Sequence, residues 1–352
     1  MWPPALATME YLKGRANDLV IACLLLVGLL YIFFNSTPTG THLLFQLQAK
    51  NTRPSIVSGS NAIEYRDELE EALAKASRPN KTVIITMVNE AYVEGDKPML
   101  DLFLDGFWLG EDTRTLVDNL LLVAIDQMAF ERCLFLRLHC YKLQTENDLA
   151  GEKVYMSQDF INMMWRRTLF LGDVLERGYS FIFTDTDVIW LRDPFPRLSP
   201  EDTIDLQISN DRFNGDEWSQ ANPINTGFYM VRSNNKTVAL FREWYQRKNA
   251  SLGLKEQDVL DRMMHEGVFA QLGLRVSFLE TALFSGFCED SRDVRVVSTV
   301  HANCCRTIKA KVADLTKVVH DWKRFKSSPP LANDTAPFAW SRHSACEESW
   351  HY

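Results

Sequence analysis

The sequence predicts an α/β fold, a mainly parallel sheet covered by helices on both faces. Three observations predict it. Runs that are apolar throughout, at 83–88, 120–125 and 181–183, read as strands buried on both sides. Longer stretches with helical spacing of apolar residues lie between them, so strand and helix alternate along the chain. The composition, 46% hydrophobic and 24% charged over 352 residues, supports a large core and excludes a disordered or fibrous chain. The net charge of −8 leaves no basic footprint, so no nucleic-acid partner is expected.

Residues 19–34, LVIACLLLVGLLYIFF, carry no charge and no proline and are apolar on every side. The run is short against the roughly 20 residues of an average span, but thin secretory-pathway bilayers accept it. Lys13 and Arg15 precede it, which leaves the N-terminus cytosolic. The expected layout is a cytosolic tail at 1–17, a single transmembrane signal anchor at 18–35, a polar stem at 36–78, a lumenal domain at 79–326 and a C-terminal tail at 327–352. A cleaved signal peptide is the rival, with no Ala-x-Ala site to support it. Sequons at Asn35, Asn80, Asn235, Asn249 and Asn333 agree with a lumenal glycoprotein. Cys23 lies in the apolar run. The others, Cys133, Cys140, Cys288, Cys304, Cys305 and Cys346, are even in number, as an oxidising compartment favours. Cys133 and Cys140 are near enough for a local bridge, while the adjacent Cys304 and Cys305 must each reach elsewhere. No Cys/His spacing of the zinc-binding kind occurs.

Along the lumenal part, 67–76 (DELEEALAKA) is rich in helix formers with Glu ahead of Lys. The first strand, 83–88, follows. A second, 120–125, ends at Asp126. Residues 158–177 place Phe160, Met163, Met164, Leu169, Phe170 and Leu175 at helical spacing and stop at Gly178. Strands are expected at 181–183, 206–209, 228–231, 276–279 and 294–297, with helices at 236–248 and 309–325. In such sheets ligands bind at the carboxyl ends of strands, where Asp126, Asp185 and the segment after Val88 stand.

The chemistry centres on Asp185-Thr186-Asp187. On a continuing strand the two carboxylates share a face, about 6–7 Å apart, and repel unless a cation lies between them. Hard oxygen ligands suit Mn²⁺ or Mg²⁺, which can clamp a diphosphate. An acidic turn is the bland alternative. Thr86, Asn89 and Tyr92, just past the first strand, suit a nucleobase. Of Arg166 and Arg167, one can pair with phosphate while the other faces solvent. Asn225-Thr226-Gly227 precedes a strand. Gly227 lets the backbone approach a ligand and Asn225 reads sugar hydroxyls, unless the segment is a plain turn. Glu256-Gln257-Asp258 opens a helix, complementing its dipole or facing the reacting sugar carbon. His301 can complete a metal site, with Lys309 or Lys311 reaching the diphosphate.

Five segments in order, FTDTDVIWLRDPF from 183, NTGFYMVRS at 225–233, EQDVLD at 256–261, FSGFCED at 284–290 and HANCCRTIKAKVADL at 301–315, carry a likeness. They resemble the plant nucleotide-diphospho-sugar transferase family, membrane-anchored Golgi glycosyltransferases of the GT-A fold. The likeness covers about 80–325. It implies a Rossmann-like α/β/α sandwich, a nucleoside-diphosphate-sugar donor, Mn²⁺-type metal dependence, retention of anomeric configuration and a cell-wall glycan or glycoprotein acceptor. The layout is also similar to glycogenin-like retaining enzymes, whose Thr…Asn…Tyr segment holds uridine. By that likeness the donor is a UDP-sugar, Thr86, Asn89 and Tyr92 contact its base, and Asp185 and Asp187 hold metal and ribose. His301 is then the third metal ligand and Lys311 a phosphate contact. A longer spacing leaves Lys309 against Lys311 open. The Glu256-Gln257-Asp258 run, where that pattern has Asp-Gln, leaves the sugar-facing group open between Gln257 and Asp258.

The reading is a type II Golgi-membrane glycosyltransferase. Asp185, Asp187 and His301 hold its metal, Arg167 and Lys311 add positive charge, and Asn225, Gly227 and Gln257 or Asp258 position the sugar. A phosphohydrolase built on Asp-x-Asp is one rival, without the Thr such enzymes carry where Val188 sits. A membrane-tethered lectin or scaffold that kept the fold without turnover is the other.

Overall fold

The computed structural model of the chain describes residues 65–144, 151–327 and 338–351, together with Leu24. The apolar run at 19–34 and the stem before residue 65 lie outside the described residues apart from that leucine. Among the described residues no helix is long and apolar enough to cross a membrane.

Helix α1 (Glu68–Ala76) opens on Asp67, whose carboxylate accepts from the Glu70 N–H. Strand β1 (Thr82–Val88) then leads through two helices, α2 (Glu90–Val93) and α3 (Met99–Leu109), to β2 (Leu120–Ala124). Asp126 stands at the end of β2 and is structural. Its carboxylate accepts from the N–H groups of Ala129, capping α4 (Gln127–Phe135), and of Glu90 in α2. After β3 (His139–Lys142) comes the long α5 (Gln158–Glu176), which ends at Arg177 before Gly178 at φ +81°. Strands β4 (Ser180–Thr184), β5 (Val188–Trp190), β6 (Leu206–Asn210) and β7 (Ile224–Val231) follow. Helices α6 (Asn235–Gln246), α7 (Glu256–His265) and α8 (Val268–Gln271) precede β8 (Val276–Phe278), β9 (Phe284–Gly286) and β10 (Thr299–His301). The chain closes with α9 (Ile308–Ser327) and α10 (Ser344–Glu348).

The main sheet has the order β3-β2-β1-β4-β7-β6-β8, and only β7 runs against the rest. This is the mainly parallel sheet that the alternation of runs predicts. Its inner strands are buried on both faces, so each alternates between two cores, while edge strand β3 is only half-buried. Val83, Ile85, Phe181 and Phe183 pack under α1, α5, α6 and α7, while Ile84, Val88, Ile182 and Phe228 pack under α3 and α4. A second sheet, β5-β10-β9, lies between α3 and α9, with Ile189 and Val300 packed against Met99, Val318 and Trp322.

Two expected elements differ. Residues 294–297 form a turn rather than a strand. Their carbonyls have no ladder partner, because Arg192 Nη1 takes those of Val294 and Val297 at 2.7 and 2.8 Å. The valines are buried all the same, under α9, which is why the run reads as a strand. Conversely Asn225-Thr226-Gly227 does not precede its strand but lies inside β7, between β4 and β6.

Three disulfides form, Cys133–Cys140, Cys288–Cys304 and Cys305–Cys346. The first is the local bridge, and the adjacent pair does part company. Residues 338–351 dock back on α9. The buried carboxylate of Asp321 accepts from Ser341 N–H and Oγ–H at 2.6 and 3.0 Å, and that of Asp314 from Cys346 N–H at 2.8 Å.

Candidate active site

In the main sheet β1 pairs with β2 on one side and β4 on the other, so the chain changes direction of travel between β1 and β4. The crevice past the carboxyl ends of those strands is where a ligand fits an open α/β sheet. A cavity of about 260 Å³ lies there. Its lining includes Met87, Asn89, Tyr92, Arg167, Asp185, Asp187, Asn225, Gly227, Gln257, His301 and Lys311.

Asp185 and Asp187 do not share a strand face, as the spacing suggests. The ladder breaks after Thr184, and 185–187 form a turn closed by the Val188 N–H on the Asp185 carbonyl at 3.3 Å. The turn redirects the chain from the main sheet into the small one, and both carboxylates still meet at its inner side. Register then brings the third residue. Val188 faces His301 across β5 and β10, and the Ala302 N–H bonds the Asp187 carbonyl at 2.9 Å. His301 Nε2 lies 3.4 Å from Asp187 Oδ1. One ligand atom each from Asp185, Asp187 and His301 fall within 4.8 Å of one another. Two carboxylates and an imidazole converging at this separation fit Mn²⁺ or Mg²⁺.

Gly227 makes that geometry possible in a different way from the one expected. A Cβ on it would stand 2.2 Å from His301 Cε1. The glycine admits the imidazole rather than a ligand. Its carbonyl also accepts the Asp185 N–H at 2.7 Å.

Arg167 reaches from α5 and is buried. Its guanidinium bonds Asp185 Oδ1 at 2.8 Å, Glu256 Oε1 at 2.6 Å and Thr226 Oγ1 at 3.2 Å. It therefore orders the floor of the site instead of standing free for phosphate. Arg166 points away, to the Gln144 carbonyl. Lys311 brings a cation to the cavity, with Nζ 2.7 Å from Asp187 Oδ2, whereas Lys309 is exposed and off the cavity lining. Of the two lysines, only Lys311 borders the cavity.

Of Gln257 and Asp258 the structure brings Gln257 to the cavity and leaves Asp258 out. Gln257 Oε1 accepts from the Thr226 N–H at 3.1 Å and lines the cavity. Asp258 is off the lining, 4.0 Å from Lys255 Nζ. Asn225 donates to Asp211 Oδ1 at 2.8 Å and accepts the Gly227 N–H. Asn303 donates to the same Asp211 oxygen at 2.8 Å and fills the space left by Gly286. Tyr92 and Asn89 also line the cavity, and Asn89 Nδ2 donates to the Gly151 carbonyl. Thr86 does not reach the lining. It is fully buried on the opposite face of β1, and Met87 faces the cavity instead.

Three residues of the site were not singled out by sequence. Glu256, the buried partner of Arg167, reads as a helix-dipole acid. Asp211 has a weak signal, a carboxylate one residue past a strand. Asn303 is visible only as a neighbour of His301.

Burial pushes the Asp185 carboxyl up, and Arg167 does not fully offset it. Burial acts on Asp187 too, but Lys311 and His301 outweigh it and hold that carboxyl well below the usual range. Burial pushes the Tyr92 phenol up to about 12, so it is a hydrogen-bond donor at any physiological pH.

The nucleotide-diphospho-sugar transferase family model matches residues 115–315, which include the Asp-x-Asp turn, Arg167, Asn225, Gln257, His301 and Lys311. The chain belongs to this family. An uncharacterized protein of Arabidopsis thaliana is 56% identical over 291 residues, 81% of this chain and 85% of that protein. More distantly, the chain is similar to the Arabidopsis thaliana beta-arabinofuranosyltransferase RAY1, 25% identical over 63% of this chain and 42% of that one. It is also similar to the Arabidopsis thaliana UDP-D-xylose:L-fucose alpha-1,3-D-xylosyltransferase 3, 27% identical over 52% of this chain and 45% of that one. The nucleotide-diphospho-sugar transferase domain of this chain is that of a glycosyltransferase, with a candidate metal site of two carboxylates and one imidazole.

Proposed function

We propose that this transferase moves a sugar from a UDP-sugar, with divalent-metal dependence and retention of anomeric configuration, to a hydroxyl of a cell-wall glycan or glycoprotein. The convergence of Asp185, Asp187 and His301 beside Lys311 is the observation that carries the reading. A bound Mn²⁺ or Mg²⁺ would supply charge to the departing diphosphate. Lys311, now paired with Asp187, would add its charge to the same phosphates. Tyr92 and Asn89 border the base. Asn225, Asp211 and Gln257 border the sugar and hold it near contact with the incoming hydroxyl. Each lining carboxylate among the described residues already faces a cation, an amide or a backbone N–H. A relative named for UDP-D-xylose supports UDP as the carrier.

The Golgi lumen as the place of action, with a type II anchor at 18–35, rests on the apolar run, Lys13 and Arg15. The disulfides and the exposed sequon residues Asn80, Asn235 and Asn249 support an oxidising, glycosylating compartment. Calorimetry of UDP binding to the full chain tests the site. UDP should bind with Mn²⁺ and bind at least tenfold more weakly with chelator or in His301→Ala, as loss of a metal ligand implies. Equal binding in all three would refute the metal reading.

A further inference from the structure

Trp350 stands at the mouth of the cavity and has no part in the chemistry above. Its indole is 50% exposed, yet it is not loosely held. Its Nε1–H donates to the Cys304 carbonyl at 2.8 Å. The Arg306 guanidinium lies 5.5 Å from the ring centre, and the Arg306 N–H bonds Ser349 Oγ at 3.0 Å. The Cys305–Cys346 bridge and the Asp314 cap on Cys346 fix the turn that presents it. An exposed indole gains little for folding, so this anchoring serves the place where the ring stands.

That place is the sugar end. Cys304, which holds the indole, follows Asn303, and Asn303 and Asn225 meet on Asp211. Cys288–Cys304 fixes the same loop from the other side. Asn225 is buried and Gln257 half-buried, so a donor sugar beside them lies deeper than the exposed Trp350, and a ring at the mouth meets the second substrate. Large, rigid, half-wet aromatics suit ligands with one apolar face and polar edges. A pyranose or furanose presents such a face in its C–H bonds.

We propose that Trp350 is the platform on which the acceptor sugar stacks, an inference that rests on the transfer reading above. The test uses the full chain with UDP and Mn²⁺, and titrates methyl α-L-fucopyranoside, methyl β-D-galactopyranoside and methyl α-L-arabinofuranoside by calorimetry and tryptophan emission. At least one glycoside should bind and change the emission, and Trp350→Phe should abolish that change while keeping the affinity. Trp350→Ala and Trp350→Leu should weaken glycoside binding about two- to tenfold, with UDP affinity unchanged. Unfolding temperatures of the variants check that they fold. Equal glycoside affinity in Trp350→Ala, a parallel loss of UDP affinity, or no glycoside bound by the unaltered protein would each overturn the proposal. Nucleotide release from a sugar nucleotide by that unaltered protein reports separately on the transfer reading.

Discussion

Gly227 shapes the candidate metal site by lacking a side chain. Gly227→Ala puts a methyl group 2.2 Å from the His301 ring, so the imidazole must leave its position. Mn²⁺ affinity should fall about 10–100-fold, the range for a disturbed ligand, with the fold intact. In a His301→Ala background the same change should cost almost nothing more, since the clash is gone. Titrating Mn²⁺ against UDP binding in the four proteins reads both effects. Gln257 and Asp258 separate just as sharply. Gln257→Ala should lower transfer by about 100-fold or more, the scale for a polar group at the reacting centre, and Asp258→Ala should leave it near normal. Steady-state rates with a saturating donor decide it. Arg167 carries stability as well as order. Arg167→Ala strands buried Glu256 and part-buried Asp185 without their cation, and should cost about 3–5 kcal/mol in denaturant unfolding.

At the scale of elements, the turn 185–187 and the β5–β10 register do most to build the site, and they show what a sequence does and does not reveal. The Asp-x-Asp was legible because both residues are close in sequence and follow an apolar strand. The conformation was not, because nothing local says that the ladder ends at Thr184. Asn225-Thr226-Gly227 carries turn residues, yet pairing with strands on both sides overrides that preference. The 294–297 run looks like a strand because buried turns also carry valines, once a side chain such as Arg192 satisfies their carbonyls. The same Arg192 belongs to a charge cluster under α9. Glu111 accepts from Arg192 Nε at 2.7 Å and from Lys326 Nζ at 2.6 Å. Burial raises its carboxyl, but Lys326 and Arg192 outweigh that and hold it below the ordinary range. Stability from this cluster is therefore full above the usual glutamate pKa and lost as pH falls through the depressed value. Glu111→Gln should unfold at lower temperature than the unaltered protein near neutrality, and the gap should close as pH falls through the depressed value. A gap that stays constant with pH would show that the cluster's charge contributes nothing.

For the whole molecule, alternation of strand and helix gave away the class of fold, and the rule for open sheets points to the strand ends where the cavity lies. What brings Arg167 to Glu256, 89 residues apart, is the packing of α5 against α7, and no pattern in the sequence states it. The docking of 338–351 was equally hidden, since short polar anchors on Asp314 and Asp321 leave no periodicity. Both belong to long-range packing, while the Asp-x-Asp motif is local. The central claim is that this assembled site transfers sugar from a nucleotide with the help of a metal. The measurement that tests it most directly is nucleoside-diphosphate release from a panel of sugar nucleotides by the full chain, with Mn²⁺ and with chelator, beside Asp187→Ala. The account predicts metal-dependent release from one UDP-sugar, absent in the variant. Release that survives the chelator and Asp187→Ala, or no release from any sugar nucleotide even with a cell-wall glycan extract present, would contradict it.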